Sequence, residues 1–364
     1  MQHQKNEPRG YETEFRKKEK KYKYSAQNKN SLDMSEVIIT TEKMAFSLKN
    51  SETFPINNIF STIQNISKSS AASSSFPAPE SSVNALDSIS ISFDDQITLQ
   101  TNLVRPFEIT FPELFLSQEP PSELNHPTLW KMYDVTSAPG LFVVKNVFRD
   151  CLAQVLLAEK CLVDFIVPDH PTNLTPFHGH LSALFTDPSQ QKLLEQLRWT
   201  TLGYHYDWTQ RCYHEDRKSP FPSHLGSIAK YVAHVCCGYA NFASEAAIVN
   251  YYSLKTILHG HVDDSEEDRT SPIVSFSLGS SCIFLIGGLD HSVSPTPLYL
   301  QSGDVVIMSG LSRNCLHGVP RIIPSSFDAS SLSPTLISSH SSVLNYLQSH
   351  RINLNVRQVH LSSD

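Results

Sequence analysis

The 364-residue sequence has no CxxC pair, and its seven cysteines (Cys151, Cys161, Cys212, Cys236, Cys237, Cys282 and Cys315) are an odd number. Neither feature suggests a disulfide framework; free thiols in an intracellular, reducing compartment are the simpler reading. No apolar run is long enough to span a bilayer, and the best stretch, Ile283 to Leu289, is short and interrupted by Gly287-Gly288. No N-terminal apolar segment resembles a signal peptide, so a soluble chain with no membrane partner is expected. There is no overall basic excess either: 29 Lys and Arg stand against 36 Asp and Glu, a net charge of -7. Any contact with nucleic acid therefore has to come from a local patch.

What is present is 40% hydrophobic content, enough for one large core or one domain with an extended N-terminal region. Residues 1–30 carry nine Lys and Arg against four Asp and Glu, densest at Arg16-Lys17-Lys18 and Lys20-Lys21. Such a run reads as a nuclear signal or nucleic-acid arm, or as a solvated charged helix or tail. Residues 67–82 are rich in Ser, Ala and Pro and cannot bury enough apolar area to offset ordering entropy. The expectation is a basic, Ser/Pro-rich and largely disordered region over 1–125, then a folded domain over 126–364. Nucleus or cytoplasm is the expected address, with a mitochondrial pool left open, and the chain is expected to be a monomer.

Within the domain, Phe148 to Phe165 has apolar residues at helical spacing, with Leu152, Val155, Leu156 and Leu162 near one face. Leu193 to Leu197 and Ile228 to Val235 suggest further helices. After Ala246 the pattern changes to short β-branched runs: Ile248–Tyr252, Ile273–Leu278, Cys282–Ile286, Leu298–Gln301, Val305–Met308 and Ile352–Val359. Ser302-Gly303-Asp304 reads as a tight turn. Helices followed by many short strands point to an α+β fold, a double-sheet jelly roll (double-stranded β-helix) backed by helices. The Ser-rich stretch 325–342 reads as an inserted surface loop.

The sharpest local feature is His261-Val262-Asp263. On a strand, residues two apart share a side, so His261 and Asp263 can face one ion. His317, in Leu316-His317-Gly318-Val319-Pro320-Arg321, is the best distant third ligand. Two His and one carboxylate on one face leave open positions opposite, which suits iron(II) binding a co-substrate and dioxygen. The tripeptide alone is a weak sign, because surface polar pairs of this kind are common. His259 and Asp264 compete with it and read as supporting or exposed groups.

Arg351-Ile352-Asn353-Leu354-Asn355-Val356-Arg357 alternates strictly, with both Arg and both Asn on one face. An edge strand with a wet polar face is the commoner meaning. Pointed into a barrel mouth, the same face needs an anionic ligand, and a dicarboxylate such as 2-oxoglutarate meets that need. Asn250 and Tyr252 share a face of their own strand and could add hydrogen bonds, although Tyr252 also reads as an ordinary core aromatic.

At this point the sequence resembles the AlkB family of oxidative nucleic-acid dealkylases. Asn250-x-Tyr252, His261-x-Asp263, His317 and Arg351-x-Asn353-x-x-x-Arg357 occur in the family's order. The likeness runs from about Pro139 to Val359, is similar to the branch of the first animal AlkB homologue, and is absent before about His126. It implies that His261, Asp263 and His317 hold iron(II) as the catalytic centre, and that Asn250, Tyr252, Arg351, Asn353 and Arg357 hold 2-oxoglutarate. It further implies that dioxygen converts 2-oxoglutarate to succinate and CO2 while a base methyl is hydroxylated and lost as formaldehyde. The nucleic-acid partner is expected to be tRNA, with methylated DNA open. Two departures stand out. Asn355 occupies a position where many relatives carry Thr, and the interval from His317 to Arg351 is longer than in bacterial members.

A base must be flipped out or taken from a single strand, then stacked on aromatics beside cations. Trp199, Tyr204, His205, Tyr206, Trp208 and Tyr213 cluster near Arg211, Arg217 and Lys218. Tyr204, His205, Tyr206 and Trp208 are therefore the candidate substrate-binding residues, with core strand positions as the plainer reading of Tyr204 and Tyr206. Cys236-Cys237 reads as buried small residues, and Glu245 as a cap without chemistry. Two other readings remain: a catalytically silent jelly-roll module that binds nucleic acid, and a dioxygenase acting on protein.

Overall fold

The computed structural model describes residues 12–23, 31–32, 37–39, 54–55, 104–107 and 119–361. The Ser/Pro-rich stretch 67–82 lies outside the described residues. Part of the basic run does not: helix α1 (Glu14–Tyr22) starts where Thr13 Oγ1 accepts from Arg16 N at 3.3 Å. Its Phe15, Glu19 and Tyr22 are buried while Lys20 and Lys21 are exposed, so the charged run is one face of a docked helix. Burying two aromatics contributes roughly 1.5–3 kcal/mol each, which is why this part is held to the body.

Strands β1 (Lys131–Val135) and β2 (Leu141–Lys145) precede helix α2 (Cys151–Leu162). Asp150 caps α2 by accepting from Ala153 N at 2.8 Å. The buried face of α2 differs from the expected one. It comprises Ala153, Val155, Leu157, Ala158, Cys161 and Leu162, whereas Leu156 is exposed and Leu152 half-buried. The helix is apolar nearly all round, so periodicity could not fix its rotation; the small side chains let it lie close to the sheet. The expected helix at Leu193–Leu197 is a single turn, Gln191–Leu194.

A hairpin follows, β3 (Trp199–Asp207) and β4 (Cys212–Lys218), then helix α3 (Ser223–Cys237). The remaining strands are β5 (Ala246–Ser253), β6 (Leu258–His261), β7 (Ile273–Gly279), β8 (Ser281–Ile286), β9 (Thr296–Leu300), β10 (Val305–Met308) and β11 (His317–Ile323). Asp304 N closes the expected turn by donating to Gln301 O at 3.2 Å. The stretch 325–342 does lie between two strands, but only its first part is a loop. Ser333 caps helix α4 (Pro334–Ser339), and helix α5 (Ser341–Ser349) buries Val343, Leu344, Tyr346 and Leu347 before strand β12 (His350–Arg357). Serine competes for backbone hydrogen bonds within a helix, which hid these helices in the sequence.

Two sheets result. The larger has the order Val104–Phe107, β1, β2, β10, β7, β12, β5, β3, β4; the smaller has β6, β11, β8, β9, Ile38–Ile39. The edge strand Val104–Phe107 carries the ordered body to before residue 126, because it satisfies the free backbone edge of β1. One apolar cluster, including Val143, Ile273, Phe284, Leu298 and Val306, fills the space between the sheets. A second lies between the large sheet and helices α2, α3 and α5, and a third between the small sheet and α1. The double-sheet jelly roll backed by helices is thus the observed architecture.

Candidate active site

Strand β6 is the outer strand of the small sheet and pairs with β11, so that His261 lies opposite His317. Their rings stand 4.4 Å apart. Asp263 follows in the irregular segment after β6, not on a regular strand as its spacing suggested, yet it still turns to the same place. One ligand atom from each of the three residues lies within 4.8 Å of the others. His261 Nε2 is 3.7 Å from Asp263 Oδ1, and His317 Nε2 is 3.8 Å from Asp263 Oδ2.

The imidazoles are oriented from behind. His261 Nδ1 donates to His259 O at 2.9 Å, and His317 Nδ1 donates to Cys315 O at 3.2 Å. With both Nδ1 atoms protonated, both Nε2 lone pairs face Asp263. Burial, with His261 alongside, pushes His317 down to about 4, so its ring is neutral at physiological pH. Burial alone would raise the Asp263 carboxyl; the Arg357 guanidinium above all, with the neighbouring imidazoles and Arg313, outweighs it and holds Asp263 well below the usual carboxylate range. Two imidazoles and one carboxylate form a donor set that fits a divalent cation, iron(II) included.

The three residues line a cavity of about 440 Å³ between the sheets. The polar face of β12 forms another wall: Arg351, Asn353, Asn355 and Arg357 all line it. Arg351 and Asn353 sit directly opposite Tyr252 and Asn250 of β5, which line it too. Arg351 is 2% exposed, and one terminal nitrogen donates to Ser277 Oγ at 2.9 Å. Its Nε and Nη1, and the Tyr252 hydroxyl, are buried without a partner. Orphaned donors on a buried cation require an anionic acceptor, and a carboxylate offers paired oxygens to them. Asn353 is committed differently: its amide nitrogen donates to Ser275 Oγ (2.9 Å) and Phe276 O (3.0 Å), bracing β12 against β7.

Arg357 faces the other side of the cavity. It lies 3.3 Å from Asp263 Oδ2 and donates to Glu266 Oε1 at 2.7 Å. Arg313, almost wholly buried, donates to Glu266 Oε2 (3.0 Å), Asp263 O (2.6 Å) and Ser271 O (3.2 Å). Tyr213 completes the group by donating to Glu266 Oε1 at 3.2 Å. Burial works to raise the Glu266 carboxyl, and Arg357 and Arg313 hold it below the ordinary value. Sequence reading missed Glu266 and Arg313. Glu266-Glu267-Asp268 looks like an exposed acidic run, and no local pattern marks its first member as buried. His259 and Asp264 play the supporting parts expected of them, pairing with Glu19 and with Arg211 (3.2 Å).

The β3–β4 hairpin overhangs the mouth. Tyr206, Trp208, Arg211 and Tyr213 line the cavity; Tyr204 and His205 do not. Tyr204 donates to Glu215 Oε2 at 2.9 Å and packs on His360, while His205 meets Thr201 Oγ1 at 3.0 Å. Two-residue spacing from Tyr204 to Tyr206 failed because the pairing with β4 shifts between them. Gly203, at φ +68°, turns the strand away from β5 just before this shift. Trp208 is 48% exposed and lies 4.9 Å from Trp199 at a 34° tilt, with Tyr206 edge-on at 4.8 Å. Cys236 is buried and Cys237 half-buried, neither near a ligand set, and Glu245 accepts from Val359 N (2.6 Å) and His360 N (2.8 Å), fixing the end of β12.

Two histidines and a carboxylate on one face of a jelly-roll cavity, with a buried arginine awaiting an anion, define a non-haem iron oxygenase site. The family described as the 2OG-Fe(II) oxygenase superfamily matches residues 163–357. The chain is 42% identical over 262 residues to the human "Nucleic acid dioxygenase ALKBH1", covering 63% of this chain and 67% of that one. It is 36% identical over 253 residues to "tRNA demethylase abh1" of Schizosaccharomyces pombe (63% and 82% covered). It is 42% identical over 272 residues to "DNA N(6)-methyladenine demethylase ALKBH1A" of Arabidopsis thaliana (63% and 77%). The chain belongs to the 2OG-Fe(II) oxygenase superfamily and, within it, to the AlkB family. Its cofactors are accordingly iron(II), 2-oxoglutarate and dioxygen.

Proposed function

We propose that this chain oxidatively demethylates bases in nucleic acid, with tRNA as the favoured substrate. The observation that carries the reading is a single cavity with the His261–Asp263–His317 donor set at one wall, the unpartnered Arg351 donors at another and Trp208 at the mouth. His261, Asp263 and His317 would hold iron(II). Arg351 and the Tyr252 hydroxyl would take one carboxylate of 2-oxoglutarate, with Asn250 on the same side, Arg357 across the cavity next to Asp263, and Asn353 bracing the strand. Bound iron(II), with dioxygen and 2-oxoglutarate, supplies the oxidising chemistry that hydroxylates the methyl carbon and leaves succinate and CO2.

The protein's own part is geometry and electrostatics. The His259 and Cys315 carbonyls fix the ring tautomers, and Arg357 keeps Asp263 ionised. Tyr206 and Trp208 offer faces on which a flipped or single-stranded base can stack, and Arg211 offers a cation for phosphate. Once hydroxylated, an N-methyl group breaks its C–N bond, releasing formaldehyde and returning a proton to the ring nitrogen. The tRNA preference draws on the likeness to the fission yeast relative, whose name specifies tRNA; the Arabidopsis relative's name specifies DNA.

The test is aerobic turnover, after anaerobic loading with iron(II) and 2-oxoglutarate, on matched tRNA and DNA oligonucleotides carrying 1-methyladenine. Succinate release coupled to methyl loss on tRNA is expected. Faster loss from DNA would overturn the preference. Silence on all substrates with nucleic-acid binding retained would favour a silent binding module.

A further inference from the structure

The N-terminal helix α1 packs against both β6 and β11, the two strands that carry His261 and His317. Its contact is with backbone that has no side chain of its own. The Phe15 ring occupies the place where a Cβ on Gly260 would lie, 2.4 Å from Phe15 Cε1, and where a Cβ on Gly287 would lie, 3.0 Å from Phe15 Cδ2. Gly260 is the residue between His259 and His261. One turn further along, the buried Glu19 carboxylate accepts from His259 Nδ1, and Arg16 secures it by donating to Glu19 Oε2 at 2.9 Å. His259 O is in turn the acceptor that fixes the His261 ring, at 2.9 Å.

Strand β6 is otherwise held by its pairing with β11 and by Leu258 against the core between the sheets. It is four residues long, lies at the edge of its sheet, and its pairing with β11 shifts register between Leu258 and His261. A short, irregular edge strand is a poor platform for a metal ligand, since ligands must be held by a supporting shell. Here that shell comes from a segment more than 200 residues away in sequence.

We propose that α1 is a positioning element for the metal centre: Phe15 clamps the Gly260 backbone and Glu19 anchors His259, so that His261 presents Nε2 in register with Asp263 and His317. This rests on the reading of those three residues as metal ligands. The basic run at the N-terminus thereby gains a role inside the fold, distinct from any contact its exposed lysines make.

The experiment uses the full-length chain and Co(II), titrated anaerobically and read by its d–d absorption, which reports affinity and ligand geometry without turnover. Phe15→Ala and Glu19→Gln are expected to weaken Co(II) binding by about 10–100-fold and to change the absorption spectrum. Lys20→Ala, on the exposed face of the same helix, should match wild type in both. Wild-type affinity and spectrum in Phe15→Ala and Glu19→Gln would overturn the proposal. Should Phe15→Ala fail to fold, the near-isosteric Glu19→Gln decides it alone. His261→Ala separates the two readings: if wild type binds no Co(II), or His261→Ala binds it equally well, the metal-site reading fails and this inference with it.

Discussion

Arg357 Nη2 stands 3.3 Å from Asp263 Oδ2, so the one carboxylate of the donor set is ion-paired within the protein itself. The same guanidinium donates to Glu266 at 2.7 Å; Arg357 and Glu266 are buried and Asp263 is half-buried. Removing the cation leaves two carboxylates facing one another with Arg313 as the remaining charge. Arg357→Met should therefore destabilise the metal-free protein by about 3–5 kcal/mol, the range for breaking a buried pair. Added Mn(II) should raise its melting temperature more than it raises that of wild type, because a bound dication supplies the missing positive charge. Paired melts with and without Mn(II) check this; equal shifts would count against it.

Asp263→Ala removes a ligand and not a packed apolar group. Arg357 and Arg313 keep Glu266 as a partner, so the far-ultraviolet circular dichroism should be unchanged. Succinate release should fall to background and Co(II) affinity by at least about 100-fold. Turnover at the wild-type rate would remove Asp263 from the metal site.

Arg351 has two nitrogens without a partner, which a co-substrate carboxylate would satisfy. Arg351→Ala is expected to raise the KM for 2-oxoglutarate on the order of 100-fold, the loss associated with truncating one side of a buried charge pair. The effect should be largely overcome at saturating co-substrate. An unchanged KM would mean that 2-oxoglutarate binds another wall of the cavity.

Trp208, exposed yet packed at a tilt against Trp199, offers an aromatic face at the mouth. Trp208→Ala should raise the KM for methylated oligonucleotide about 10-fold, in keeping with 1–3 kcal/mol per stacked base. Succinate release without nucleic acid should stay at the wild-type rate. The reverse pattern would place Trp208 in co-substrate binding.

His205 gives a pH signature away from the metal. Burial, then the neighbouring His170, pushes it down to about 4 from an ordinary value near 6.5. The unfolded chain therefore binds more protons than the folded one between these values, and stability falls as pH drops from about 6.5 to about 4. His205→Gln should flatten that decline by at most about 2 kcal/mol, partial solvent contact reducing the effect. Melting temperatures across this window for both proteins provide the measurement, and parallel curves would refute the assignment.

How much of this was legible in the sequence differs residue by residue. The β12 alternation placed Arg351, Asn353, Asn355 and Arg357 on one face, and all four line the cavity. His261, Asp263 and His317 meet as their spacing and order suggested, even though Asp263 lies beyond the end of its strand. The limits expected for β5, β7, β8, β9, β10 and β12 fell within two residues of those observed because β-branched runs carry a local period of two, whereas the sequence set no limits for β6 and β11. Reading failed where the local period breaks: at the register shift that takes Tyr204 away from the mouth, on the largely apolar α2, and in the serine-rich run that became α4 and α5.

The sequence by itself thus determined most of the strands, the polar face of β12 and the chemistry of the donor set, since each depends on residue type and short-range spacing. Only the tertiary structure decided that Glu266 and Arg313 are buried under the site, that Asn353 is a brace, and that Phe15 and Glu19 sit behind His261. Those facts join residues tens to hundreds of positions apart. Burial and partnership across such distances follow from how the sheets pack, and no local pattern records them.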